Sequence, residues 1–149
     1  MNCRELVAAL AADAGMEGEP VFEDGACHLG IDDRDVGFME TDDGRRMVVW
    51  AAIGECPVDR KDAFLIMLLR ANFMGRMLTD GAFSLSDDDF VYAHCVFTLP
   101  VQEKEAFYEG LRNFLEAVDE WSRLAETYKQ TVGPDEEAGL AIENLGLRV

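Results

Sequence analysis

Seven apolar residues recur near the end of the chain at spacings of four, three, four, three, four and three: Phe107, Leu111, Phe114, Val118, Trp121, Ala125 and Tyr128. That rhythm is one face of a helix. It predicts a helix from about Gln102 to Lys129, roughly 40 Å long at 1.5 Å per residue. Glu109, Arg112, Glu116, Asp119 and Arg123 fall between the apolar positions, so only one side is greasy. So long a one-sided helix must lie on a broad apolar surface, and the segments before it supply a sheet.

Cys27, Leu29 and Ile31 alternate with His28 and Gly30, the period-two pattern of a strand with one buried face. Asp32-Asp33-Arg34-Asp35 reads as a turn into a second short strand, Val36 to Glu40. Asp42-Asp43-Gly44 is a hairpin signal. The strand after it, Arg46 to Ile53, is apolar on both faces: Met47, Val49, Ala51 and Ile53 on one, Val48, Trp50 and Ala52 on the other. It is therefore predicted to be central. A later hairpin joins Ala82–Leu85 to Phe90–Leu99 through Ser86-Asp87-Asp88-Asp89, with Tyr92, His94 and Val96 opposite Val91, Ala93, Cys95 and Phe97. Residues 2 to 14 predict a first helix, with Leu6, Val7 and Leu10 at helical spacing and Gly15 ending it. A loop with Gly18, Pro20 and Gly25 follows.

The middle helix is of another kind. Asp59 is a good N-cap for a helix running to about Met77. Phe64, Leu65, Ile66, Met67, Leu68, Leu69, Phe73 and Met74 surround most of its circumference. A helix in a small domain turns one stripe to its own core, so this one needs a second surface. A symmetric partner chain is the simplest candidate; a position between the sheet and another helix is the other.

At 149 residues the chain is most simply one domain, here 1–130 followed by an acidic tail, 131–149. Thirty acidic residues oppose 13 basic ones, a net charge of −17. Phosphate backbones and anionic lipid repel such a chain, which disfavours nucleic-acid and membrane-surface roles. No apolar run approaches the roughly 20 residues of a membrane span. The start, Met1-Asn2-Cys3-Arg4-Glu5, lacks the pattern of a secretory signal, so a cytoplasmic location is expected.

Chemistry is scarce. The four cysteines, Cys3, Cys27, Cys56 and Cys95, are scattered, and the only histidines are His28 and His94, too few and too dispersed for a zinc site. The acidic clusters 32–35, 42–43 and 87–89 lack the ligand alternation of a calcium loop. Gly15, Gly18 and Gly25 form no phosphate loop. No catalytic pair stands out, so no enzyme, metal or cofactor is expected.

A diffuse pattern carries a resemblance. Leu68-Leu69 leads to Ala71-Asn72; Asp80-Gly81-Ala82 enters a strand; an acidic turn follows at 87–89; the hairpin ends in Leu99-Pro100; and Phe114 and Trp121 stand seven apart on the last helix. In that order these features resemble the Tir chaperone (CesT) family of type III secretion chaperones, from the first helix to about Thr127. Asp80 and Ser84 depart from it, standing where many relatives have Gly. The resemblance implies an α+β fold, a twisted, mainly antiparallel five-stranded sheet with three helices, in a homodimer. It also implies that the chain binds a non-globular segment near the N-terminus of a secreted effector, in extended form and without nucleotide.

On that basis the expected dimer residues are Phe64, Leu68, Leu69, Phe73 and Met74. Expected effector contacts are exposed apolar positions on the first helix and first three strands: Val7, Leu10, Leu29, Val36, Phe38, Val48 and Trp50. Two other classes remain open: a regulatory protein-binding domain like the YbjN group, without a secretion client, and a small ligand-binding or enzymatic α+β domain with a closed pocket.

Overall fold

The computed structural model describes residues 1–73 and 81–130. Helix α1, Cys3–Asp13, starts in a capping box. The Asn2 side chain accepts from the Glu5 amide at 3.0 Å, and the Glu5 carboxylate accepts from the Asn2 amide at 2.8 Å, which satisfies two orphan donors of the first turn. Four strands follow: β1 Phe22–Glu23, β2 Ala26–Ile31, β3 Arg34–Glu40 and β4 Arg46–Glu55. A single 3-10 turn, Val58–Arg60, leads into α2, Lys61–Asn72; then come β5 Gly81–Leu85, β6 Phe90–Thr98 and α3 Lys104–Gln130.

The strands form one antiparallel sheet in the order β1-β2-β3-β4-β6-β5, with β4 central as its two apolar faces predict. It has six strands where five were expected. The extra one, β1, lies in the segment read as a loop. Asp24 and Gly25, at φ 50° and 83°, fold Phe22–Glu23 back onto β2 through a two-residue turn. Asp32 and Asp33, at φ 48° and 62°, close the next hairpin in the same way. Left-handed values at both central residues suit the twist of a tight hairpin, and aspartate tolerates them.

One face of the sheet is covered. Val36, Phe38, Met47, Val49, Ala51, Val91 and Ala93 are buried there with the whole predicted stripe of α3, from Phe107 to Tyr128. Gly110 lets α3 approach closely, since a Cβ there would lie 2.8 Å from the Phe97 ring. On the inner side of α2, Phe64, Met67, Leu68 and Ala71 are buried, and the Phe64 ring meets Tyr128 of α3 at 5.3 Å. Asp59 falls inside the 3-10 turn, so it is not the N-cap of α2, and the helix stops at Asn72 with Phe73 extended. The expected continuation to Met77 and the tail 131–149 lie outside the described residues.

Candidate binding surfaces

The second face of the sheet carries Val48, Trp50 and Ala52 of β4 beside Val96, His94 and Tyr92 of β6, each pair directly opposed. All six are half-buried, and none joins the core cluster. The register extends one row across five strands: His28, Gly37, Trp50, His94 and Ala82. Gly37 is what permits this row. The Trp50 indole lies over it, and a Cβ at that position would run into the ring.

Two adjoining depressions meet at Trp50 and Tyr92. One, of about 380 Å³, is lined by Val48, Trp50, Ser84, Tyr92 and His94. The other, of about 310 Å³, adds His28, Asp33, Arg34, Asp35 and Ala52. His28 sets an edge against the Trp50 ring at 5.4 Å, and its Nδ1 lies 2.8 Å from the Asp35 carboxylate. Arg34 is anchored by Asp119 of α3 at 2.7 Å and by the Ala52 carbonyl at 3.2 Å. The surface is thus a shallow aromatic groove with a polar end.

A second apolar surface runs along α2. Ile66, Leu69 and Phe73, at i, i+3 and i+7, are 49%, 69% and 63% exposed. Spaced in this way they form one outward stripe.

The expected site residues divide between core and surface. Val7, Val36 and Phe38 are fully buried and Leu29 is 8% exposed, which corrects the expectation that they are exposed. The reason lies in β3, where Val36 and Phe38 flank Gly37 and so point to the helix-covered face. Leu10 is half-buried against the core. Val48 and Trp50 lie together on the open face. Phe64 and Leu68 face inward, Leu69 and Phe73 face outward, and Met74 lies outside the described residues. Ile66, Gly37 and the contribution of Tyr92 and His94 were missed. Ile66 had a signal in its spacing from Leu69 and Phe73, hidden by the apolar residues around it.

Burial raises the thiols: Cys3 to about 11, with Glu40 adding to the effect, and Cys27 and Cys56 in the same direction. Such thiols are poor nucleophiles and poor ligands. No group of three or more His, Cys, Asp or Glu side chains is placed to hold a metal among the described residues. Nor is any described helix long and apolar enough to cross a membrane.

Three helices on one face of an antiparallel sheet, with the other face open and apolar among the described residues, define a small α+β domain. The chain belongs to the Tir chaperone protein (CesT) family, whose model matches residues 5–122. Solved structures agree on the fold. The ExsC–ExsE complex matches with a TM-score of 0.66 at 20% identity, over 82% of this chain and 92% of that one. The Yersinia pestis type III secretion chaperone SycH, solved with a fragment of YscM2, matches with a TM-score of 0.60 at 16% identity, over 78% and 96%. YbjN from E. coli matches with a TM-score of 0.57 at 15% identity, over 84% and 92%. No curated protein matches the sequence.

Proposed function

We propose that this chain is a type III secretion chaperone that binds a non-globular N-terminal segment of an effector and keeps it soluble. It works as a homodimer in the cytoplasm, by binding and without catalysis. The observation that carries this reading is the open sheet face around Trp50, an apolar surface that no part of the described chain covers, in a member of this family. Similar structures were solved as complexes, including ExsC with ExsE and SycH with a YscM2 fragment, which supports a protein segment as the occupant.

The chemistry suits such a cargo. Trp50 and Tyr92 offer large contact area with few torsions to freeze, and the depression they line with Val48 is open to solvent along the strands. Strand edges can add main-chain hydrogen bonds. A net charge of −17 would keep the loaded complex in solution. The outward stripe Ile66, Leu69 and Phe73 is the surface that supports a two-fold dimer, in which the same patch serves both subunits.

The test is co-expression with N-terminal fragments of secreted proteins from the same cell, followed by native mass determination. A complex of two chains with one fragment, lost on Trp50→Glu, is the expected result. Fragments that never co-purify, or that bind Trp50→Glu equally well, would overturn the reading.

A further inference from the structure

We propose that Asn72 closes one edge of the sheet, so that an added strand can join only at the opposite edge. The proposal depends on the chaperone reading only for what the remaining open edge is used for.

The closed edge is β5. Its hairpin with β6 is shut by the Ser86 amide donating to the Phe90 carbonyl at 2.8 Å. In an antiparallel pair, bonded and non-bonded positions alternate. Ser84 opposite Tyr92 is then a bonded position, and Phe83 opposite Ala93 turns its amide and carbonyl away from β6. Both groups are already taken. The Phe83 amide donates to Asn72 Oδ1 at 2.7 Å, and Asn72 Nδ2 donates to the Phe83 carbonyl at 3.1 Å. A carboxamide presents the same donor and acceptor as a peptide unit, so Asn72 stands where a neighbouring strand would bond. The outward groups left, at Gly81 and Leu85, are about 13 Å apart at 3.3 Å per residue. No continuous ladder can start across that gap. Exposed edges invite pairing with other chains, and proteins block them with specific devices.

At the other edge, β1 pairs only with Ala26 and Cys27, so the side of β2 that faces away from β3 has no partner strand from His28 to Ile31 among the described residues. Ile31 and Arg34 flank the two-residue turn and form a bonded pair. Alternation therefore turns the amides and carbonyls of His28 and Gly30 outward. The sheet face at Gly30 is open as well, with nothing within 4 Å of a Cβ built there. One edge is plugged at its centre by α2, and the other offers two consecutive outward positions in line with β1.

The test needs no client, so it can fail while the chaperone reading stands, or succeed while that reading falls. Amide exchange and sedimentation are measured on the intact chain and on Asn72→Ala and Asn72→Gln. Glutamine favours helix more than asparagine does, so Asn72→Gln keeps α2 while moving the carboxamide out of register. Exchange at Phe83 should rise about tenfold or more, with Val49 and Cys95 in the central ladder unchanged. Both variants should also form larger assemblies as concentration rises, and adding Ser84→Lys should reverse this. Wild-type exchange at Phe83 in Asn72→Gln would overturn the proposal. Faster exchange without new association, or association that Ser84→Lys leaves intact, would overturn it equally.

Discussion

The two tryptophans lie on opposite sides of the same sheet. Trp121 of α3 is 1% exposed, its ring 4.6 Å from Phe83, inside a core built from the whole length of the α3 stripe. Trp50 of β4 is half-buried on the face that no described helix covers, seated on Gly37 with His28 at its edge. Strand β4 contributes Met47, Val49 and Ala51 to the first side and Val48, Trp50 and Ala52 to the second. The composition of the two rows is similar, and what differs is the cover. The long amphipathic helix α3 covers one face, and among the described residues no helix covers the other, which leaves an apolar row open there.

The sharpest way to break this contrast is to truncate each tryptophan. Trp121→Ala should destabilise the fold by about 3–5 kcal/mol, as for large aromatic deletions in cores. Trp50→Ala should cost about 1 kcal/mol, the share of a half-buried side chain, while abolishing effector-segment binding. Urea unfolding of both variants decides it; equal losses would mean that the open face is ordinary core. Next in size is Gly37→Val. The new side chain must displace the Trp50 indole, at about 1–3 kcal/mol for an overpacked site. Tryptophan emission should shift to the red through Trp50 alone, and a spectrum identical to wild type would mean that the indole does not rest on Gly37.

Leu69→Asp affects assembly more than folding. Leu69 is 69% exposed, so the monomer should keep its stability to within about 0.5 kcal/mol. A charge in the middle of the α2 stripe should leave the chain monomeric at micromolar concentration by sedimentation. A variant that stays dimeric would remove the stripe from the interface.

What could be read in the sequence follows from periodicity. The α3 stripe, the central place of β4 and the pairing of β5 with β6 were legible because each rests on a spacing that only one element satisfies. Alternation divides a strand into two rows, but it does not say which row the helices cover. Leu29, Val36 and Phe38 were therefore expected on the surface, and they lie in the core. On α2 no side is polar, so Phe64 and Leu68 could not be separated from Ile66 and Leu69 until the contact with Tyr128 fixed the inward side. The pair Phe22–Glu23 is too short for any period, and only the Asp24-Gly25 turn marks it as a strand.

The covered side has a fastening of its own, and it gives the smallest expected effect. Asp13 at the end of α1 accepts from Lys104 Nζ and from the Tyr108 hydroxyl, each at 2.8 Å, which ties α1 to the first turns of α3. Those two hydrogen bonds, Lys104 first, hold the Asp13 carboxyl below the usual carboxylate range. Burial, with Asp13 adding to it, pushes the Tyr108 hydroxyl up to about 12, so the tyrosine remains a donor across the accessible range. Because the folded pKa of Asp13 is depressed, its contribution is fully present above the pKa of the unfolded carboxyl and is lost as pH falls through the folded value. The stability gap between wild type and Asp13→Asn should therefore be small and constant near neutrality, as for exposed ion pairs, and should close on acidification. Urea unfolding of both proteins across that range reads it directly. A gap that stays open in acid would mean that asparagine had disturbed the packing of α1 on α3, and that the clamp holds by shape more than by charge.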